Sequence, residues 1–355
     1  MSSAAQWRTK EQDEDAVAEI MRRGGAALQG RMQGTERHLQ QVTAQAGVPL
    51  AAHASATVAA GGKRLRPLLV VLACEAAGGP GETEGQADAP ACELRLVRAA
   101  VAVELVHSAT LVHDDVIDGA QLRRGCPTVV ADAGRDAAIA TGDLLFSRAF
   151  AELARNDDLA QLRALSDASS ALAAGELLQR EDAYAARVAV ERYLRRCELK
   201  TAALFEAACR LGALVAGRAA DRGSSTALAE GLGVFARRIG LAFQLLDDVL
   251  DVSGPVERTG KTRGADLLDG TVTLPLILAR EQDERLASVD LAALRGPEEA
   301  AELCDRIAAT GALREARERA LAFVAQAKAA LPALLPGGRG VLLDLVADAV
   351  VERYR

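Results

Sequence analysis

The sequence predicts an all-α protein. Aromatic residues make up only 3% of the chain, alanine is abundant, and the Val, Ile and Thr alternation typical of strands is hard to find. Apolar residues instead recur at helical spacing, most clearly over 101–117. The chain has 355 residues, and no linker of distinct composition divides it into two cores. We therefore expect one all-α domain, a helical bundle over 15–355.

The individual helices are predicted from this periodicity and its interruptions. Residues 1–14 are polar and aperiodic, so we expect a disordered tail before a helix that begins near Ala16 and continues past His38. Glycine, proline and charged residues interrupt the pattern at 61–67, 78–90, 222–225, 253–273, 295–297 and 336–340. The helices between these breaks are predicted at 68–77, 92–117, 137–154, 159–179, 188–215 and 227–252, with further helices after Pro275.

Composition excludes several classes of protein. The 42 basic and 49 acidic residues give a net charge of −7, which argues against a nucleic-acid-binding protein. The six cysteines form no Cys-x-x-Cys pair, and most lie in apolar helical stretches, so we expect buried thiols in a reducing cytoplasm. Without an apolar leader or an uninterrupted apolar run of about 18 residues, we expect no transmembrane segment.

An Asp-Asp-x-x-Asp motif occurs twice. Its aspartates are Asp114, Asp115 and Asp118 in the first copy, and Asp247, Asp248 and Asp251 in the second. The outer two of the first copy are four residues apart and so share one helix face. A single copy is equally well explained as a solvated acidic face. However, both copies are flanked by Leu, Val and Ile, so the repelling carboxylates need hard divalent cations, and two such clusters predict a diphosphate clamp.

Two basic stretches are candidates to bind phosphate. Gly61-Gly62-Lys63-Arg64-Leu65-Arg66-Pro67 places three cations just before a predicted helix start, where free N–H groups favour an anion. Arg123-Arg124 follows the first acidic motif closely. The competing explanations are a basic surface loop for the first stretch and charge balancing of the aspartates for the second.

Further polar residues interrupt apolar helices. His107 lies two turns before Asp114, where a lone histidine is more often a core residue than a ligand. Lys200-Thr201 lies within an apolar helix, and Gln244 precedes the second motif by three residues. Lys261 lies on a glycine-flanked loop that could close over a phosphate.

Taken in order, these motifs resemble the trans-isoprenyl diphosphate synthases, the polyprenyl synthetase family. The matching segments are GGKRLRP, HSATLVHDDVIDGAQLRRGCPT, GELLQ, Lys200-Thr201, FQLLDDVLD and GKTRGADLLDGTVTLP, spread over about 45–350. The resemblance implies an all-helical fold around a central cavity, a homodimer with a heterodimer possible, and Mg2+ as cofactor, three ions per active site. The substrates would be isopentenyl diphosphate and an allylic diphosphate.

The resemblance also implies roles for residues. Asp114, Asp118, Asp247 and Asp251 would bind metal, with Asp115 and Asp248 supporting them in the reaction. Arg123, Lys200 with Thr201, Gln244 and Lys261 would contact the allylic diphosphate, and Lys63, Arg66, His107 and Arg124 would hold isopentenyl diphosphate. The chain departs from the family pattern at Thr262, where proline is usual, and in 129–136, which lack an expected asparagine.

The implied chemistry needs no protein nucleophile. Cations stabilise the departing diphosphate as the allylic C–O bond breaks to give a carbocation, and the isopentenyl double bond, held close by its own diphosphate, attacks that carbocation. The resulting cation then loses a proton, which the resemblance assigns to the released diphosphate. The helix before Asp114 carries only small or modest residues at Ala109, Thr110 and Val106, which predicts a medium- to long-chain product. Phe146 or Phe150 are the alternative candidates for the residue that blocks the growing tail. A geranylgeranyl diphosphate synthase is the main alternative. A class I terpene cyclase, a regulatory subunit and a helical scaffold are less consistent with two acidic motifs and a basic loop.

Overall fold

Helices account for almost every element of the fold, which confirms the all-α prediction. The computed structural model describes residues 10–44, 50–79, 89–217, 222–254 and 263–352. Within these ranges the α-helices are, in order, α1 Lys10–Thr43, α2 Ala51–Ala59, α3 Leu65–Ala76, α4 Ala89–Asp118, α5 Val129–Ala133, α6 Arg135–Ala154, α7 Leu159–Glu181, α8 Val190–Cys197, α9 Ala203–Ala216, α10 Arg222–Ser253, α11 Ala265–Leu268, α12 Leu274–Gln282, α13 Glu284–Ala287, α14 Pro297–Ala308, α15 Ala312–Leu334 and α16 Val341–Glu352.

Shorter elements join these helices. A π-turn, Glu198–Ala202, connects α8 to α9, and 3-10 turns lie at Leu291–Ala293 and Pro336–Gly338. Between α4 and α5, β1 Leu122–Arg123 pairs antiparallel with β2 Cys126–Pro127. This two-stranded hairpin carries the basic pair that follows the first acidic motif.

Several predicted boundaries differ from those observed. Helix α1 begins at Lys10, so the end of the expected disordered tail is helical, and residues 1–9 lie outside the described residues. The helix predicted over 188–215 is interrupted by the π-turn, which has no composition signature. The break predicted at 222–225 is instead the start of α10, because its glycine and serines are accommodated in the first turn of a long helix.

The core is built around α9. This helix packs against α3, α7, α4 and α10, and so it contacts both helices that carry an acidic motif. At Gly212 of α9, an added Cβ would lie 2.1 Å from the carbonyl oxygen of Val70, so α3 and α9 approach at backbone distance. Glycine is required here because any side chain would push the helices apart. This contact with α3 fixes the position of α9, which packs against both helices that carry an acidic motif.

Helix α4 is both long and apolar. By length and composition it is the one helix among the described residues that could cross a membrane, but 67% of its apolar window is buried within the protein. Its residues 99–103 are fully buried. The helix is therefore explained as a core helix, whose last turns carry the aspartates.

The cysteines are free thiols, as the sequence predicts. Five of them are buried, while Cys126 is exposed on the hairpin. Burial raises the pKa of the Cys197 thiol to about 12, so it stays protonated at neutral pH.

Candidate active site

The first acidic motif lies at the C-terminal end of α4, and its three carboxylates have different surroundings. Asp114 lines a cavity, and burial raises its pKa to about 6, with Lys200 acting in the opposite direction. Asp115 is buried and forms an ion pair with Arg123, 2.7 Å between Oδ1 and Nη2. Asp118 is exposed and pairs with Arg180 of α7. Only one of the three thus faces the cavity.

The second motif lies on α10, and its three carboxylates, Asp247, Asp248 and Asp251, all line the same cavity. Asp248 is buried and accepts hydrogen bonds from the Tyr193 hydroxyl (2.6 Å) and Gln244 Nε2 (2.8 Å). Burial and the nearby Asp266 raise the pKa of Asp248 to about 7. These two neutral donors hold Asp248 against the wall beside Asp247.

The π-turn presents Lys200 and Thr201 to the cavity. Thr201 donates through its hydroxyl to Gln244 Oε1 at 2.7 Å, which extends the hydrogen-bonded chain to Asp248. Lys200 forms an ion pair with Glu176 of α7. An added Cβ at Gly175 would lie 2.5 Å from the Lys200 backbone nitrogen, so α7 packs directly on the π-turn. This backbone contact sets the position of the lysine.

The cavity has a volume of about 380 Å³, and both polar and apolar side chains line it. Its lining residues are Arg66, His107, Thr110, Leu111, Asp114, Leu172, Lys200, Thr201, Leu204, Phe243, Gln244, Asp247, Asp248, Leu250, Asp251 and Asp266. The two acidic motifs therefore share one cavity with two cations and with leucine and phenylalanine side chains. Such a cavity suits a ligand with an anionic head and an apolar tail.

Basic residues converge beside the acidic motifs. The Arg66 guanidinium lies 4.8 Å from the Phe205 ring centroid, and burial lowers its pKa to about 10. Arg66 Nε is buried with no hydrogen-bond partner among the described residues. Burial, and then Arg66 and Arg124, lower the pKa of His107 well below its usual value, so its ring is neutral at pH 7. A buried donor without a partner in the cavity wall suits an anion.

The structure brings together some of the residues singled out in the sequence, but not all. Ten line the cavity, namely Arg66, His107, Thr110, Asp114, Lys200, Thr201, Gln244, Asp247, Asp248 and Asp251. Lys63 and Arg124 are exposed and do not line it, and Arg124 lies against Gly62. Ala109 and Val106 are fully buried and do not line the cavity. Lys261 and Thr262 lie outside the described residues.

Four further residues were not identified from the sequence. On α7, Glu176 and Arg180 form an ion pair with each other. Glu176 also pairs with Lys200, and Arg180 also pairs with Asp118. Tyr193 holds Asp248, and Asp266 lines the cavity. The Glu176-x-x-x-Arg180 spacing is a signal for a paired helix face, but it does not indicate which partners lie across from it.

The donor set fits a divalent cation. Within the described ranges, no group of three or more His, Cys, Asp or Glu side chains is close enough to hold a metal ion alone. A hard cation between the two motifs would therefore complete its coordination with phosphate oxygens and water. This is how Mg2+ is usually bound beside phosphorylated substrates. The carboxylate oxygens of Asp114, Asp247 and Asp251 suit that role.

Comparison with known proteins gives a consistent result. The polyprenyl synthetase family model matches residues 49–309. A heptaprenyl diphosphate synthase component 2 from Geobacillus stearothermophilus is 36% identical over 323 residues, 90% of this chain and 94% of that protein. A geranylgeranyl diphosphate synthase from Methanosarcina mazei is 36% identical over 304 residues, 83% of this chain and 87% of that protein.

A solved structure agrees with the sequence relatives. The polyprenyl synthase from Caulobacter crescentus CB15, complexed with calcium and isoprenyl diphosphate, superposes with a TM-score of 0.83 at 34% identity, covering 96% of this chain and 98% of that one. Fold, cavity and sequence motifs thus agree over most of the chain, which belongs to the polyprenyl synthetase family.

Proposed function

We propose that this chain is a Mg2+-dependent prenyltransferase that condenses isopentenyl diphosphate with an allylic diphosphate to give an all-trans polyprenyl diphosphate. One observation carries the proposal. A single cavity is lined by Asp114 of the first aspartate motif, by all three aspartates of the second, by two cations, Arg66 and Lys200, and by apolar side chains. Neither an acidic surface nor a helical scaffold requires this arrangement.

The allylic diphosphate would bind between the two motifs. Mg2+, with three ions proposed, would neutralise the charge that develops on the leaving diphosphate. Asp114, Asp118, Asp247 and Asp251 are the proposed ligands. The calcium and isoprenyl diphosphate in the Caulobacter crescentus relative support a divalent cation and a prenylated diphosphate as ligands of this fold.

The chain's own side chains would position that diphosphate. Lys200 lies on the cavity wall beside Glu176, from which it can turn to an incoming phosphate. Thr201 and Gln244 belong to the hydrogen-bonded chain that ends at Asp248. We propose that Arg123 contacts the allylic diphosphate while it is held by its ion pair with Asp115. Lys261 lies outside the described residues, and we assign it to the same substrate only because of the sequence motif in which it occurs.

Isopentenyl diphosphate would bind at the basic side. Arg66 offers a buried Nε that has no hydrogen-bond partner in the part of the chain that the structure describes, Arg124 lies beside Gly62, and Lys63 is exposed. A neutral His107 can donate one N–H to phosphate. Two anion sites in one cavity hold the double bond close to the allylic carbon, which supplies proximity.

We propose a medium- to long-chain product. Thr110, a small residue on the cavity wall, leaves room beside Leu172 and Phe243 for a growing tail. The heptaprenyl synthase component from Geobacillus stearothermophilus favours this assignment. The Methanosarcina mazei relative supports a geranylgeranyl product as the second candidate.

We propose that the enzyme acts in the cytoplasm as a homodimer. Exposed apolar residues on α6 and α7, among them Ile139 and Leu177, favour a protein partner on that side. A relative named as a component makes a heteromer the alternative.

The test is incubation of the purified chain with Mg2+, radiolabelled isopentenyl diphosphate and farnesyl diphosphate, followed by sizing of the hydrolysed products. A ladder that ends at one dominant length would support a self-sufficient synthase. No incorporation with any allylic primer would contradict it, and farnesyl diphosphate consumed without isopentenyl incorporation would identify a cyclase.

A further inference from the structure

Arg64 has an unusual backbone in the basic loop. Residues 61–64 connect α2 to α3, and the loop takes positive φ at Gly61 (84°), Gly62 (155°) and Arg64 (48°). Glycine tolerates this region, but arginine does so only at a cost in free energy. Residue 64 also occupies the N-cap position of α3, with ψ of 35°. A strained non-glycine residue between two phosphate-binding candidates needs a compensating interaction.

The Arg64 side chain supplies that interaction. Its Nε and Nη2 donate to the two carboxylate oxygens of Glu36 on α1, at 2.9 and 3.2 Å. Nη1 donates to Glu104 on α4 at 3.0 Å, and Nη2 also donates to the Val58 carbonyl oxygen at 2.8 Å. The guanidinium is only 15% exposed and Glu104 only 6%. Arg64 therefore ties the loop to α1, α2 and α4, and it does not line the cavity.

The loop held in this way carries the cations of the second anion site. Lys63 directly precedes Arg64, and Arg66 follows two residues later with its guanidinium in the cavity wall. Arg124 reaches the same loop, because an added Cβ at Gly62 would lie 2.9 Å from its Nη1. Like charges this close repel one another, so the loop keeps its shape only if it is anchored. The two carboxylates on Arg64 provide both anchor and counter-charge.

We propose that Arg64 is a positioning residue for isopentenyl diphosphate, distinct from the residues that touch it. By fixing the left-handed turn, it sets the direction in which Lys63 and Arg66 point. The inference rests on the proposed function, since it concerns the second of the two substrates. It requires the planar fork of arginine, because a lysine ammonium cannot bridge Glu36, Glu104 and a carbonyl oxygen in the same geometry.

Arg31 provides a matched control. It is 17% exposed, and it joins α1 to α3 through Glu75 (2.6 Å) and to α4 through Glu93 (2.7 Å). It therefore links helices of the same bundle with comparable burial, but it does not hold the basic loop. Arg64→Lys and Arg31→Lys would remove similar structural bonds.

The experiment measures KM separately for isopentenyl diphosphate and farnesyl diphosphate, at saturating Mg2+, in wild type and both variants. For Arg64→Lys we expect the isopentenyl diphosphate KM to rise about tenfold, with the farnesyl diphosphate KM within about twofold of wild type, because misplacing one anion site affects one substrate. For Arg31→Lys we expect both KM values to be unchanged.

A milder variant covers the case in which Arg64→Lys does not fold. Glu36→Gln removes one carboxylate that is 38% exposed, and it should raise the isopentenyl diphosphate KM selectively by a smaller factor. Equal changes in both KM values, or the same change in Arg31→Lys, would overturn the positioning role and leave only a structural one. If wild type incorporates no isopentenyl diphosphate with any primer, the proposed function itself fails, which is a different result.

Discussion

Asp114 is predicted to destabilise the metal-free protein. Its carboxylate lies in the cavity wall, where burial raises its pKa from 3.8 to about 6, with Glu176 and Asp118 adding repulsion. A carboxyl whose pKa is higher in the folded state binds protons more tightly there than in the unfolded chain. The free energy of unfolding therefore falls as the pH rises from about 4 to about 6. Asp114→Asn removes this effect, because the amide has the same shape and no charge.

The magnitude follows from the two pKa values. A shift of about two units corresponds to roughly 3 kcal/mol, which is an upper value because Asp114 is partly accessible. Near pH 8 we expect Asp114→Asn to be more stable than wild type by up to this amount. Near pH 4.5 the difference should shrink to about 1 kcal/mol, because the folded-state carboxyl is then protonated. Urea denaturation in EDTA, followed by far-UV circular dichroism, measures both differences.

The control and the refuting result are equally specific. Glu302→Gln neutralises an exposed acid on α14 and should change stability by less than about 0.5 kcal/mol at either pH. Adding Mg2+ and inorganic diphosphate should raise the Tm of wild type but not of Asp114→Asn. If Asp114→Asn is no more stable than wild type near pH 8, the carboxylate is not in a desolvated, repulsive site, and the reasoning fails.

Three further predictions concern the acidic motifs and the cavity. Asp247→Ala should abolish turnover and leave helix content by circular dichroism unchanged, because its carboxylate lines the cavity rather than the core. Thr110→Phe should shorten the product in chromatographic sizing, because the ring would enter the cavity, whereas Ala109→Phe enters a fully buried position and should also cost about 1–3 kcal/mol of stability. Arg180→Gln should lower the Mg2+ concentration for half-maximal activity by up to about fivefold, because it frees Asp118 from an exposed ion pair worth up to about 1 kcal/mol.

Each of these has an outcome that contradicts it. Retained activity in Asp247→Ala would remove the second motif from the reaction. An unchanged product from Thr110→Phe would move the length-setting position to another helix. Arg319→Gln breaks a comparable exposed pair with Glu315 on α15, and should leave the Mg2+ requirement as in wild type. An equal shift in both arginine variants would indicate a general effect of charge.

The sequence predicted what depends on local spacing. The apolar periodicity predicted the helix that carries Asp114, and the motif repeat indicated that two acidic clusters belong together. Charge balancing of the aspartates was the competing explanation for Arg123-Arg124, and Arg123 does pair with Asp115. The sequence did not predict that Arg180 pairs with Asp118 from 62 residues away, because that pair depends on how α4 and α7 pack. Local periodicity contains no information about packing between helices.

The π-turn at Glu198–Ala202 has a consequence for sequence change. It adds one residue to the helical path between Tyr193 and α9, so deleting a residue such as Leu199 would let one regular α-helix run through. Each residue in an α-helix turns the chain by about 100°. The deletion would therefore swing Lys200 and its neighbours relative to Tyr193, giving a more regular helix but a misaligned cavity wall. In this segment we therefore expect an insertion or deletion to be tolerated less well than a substitution.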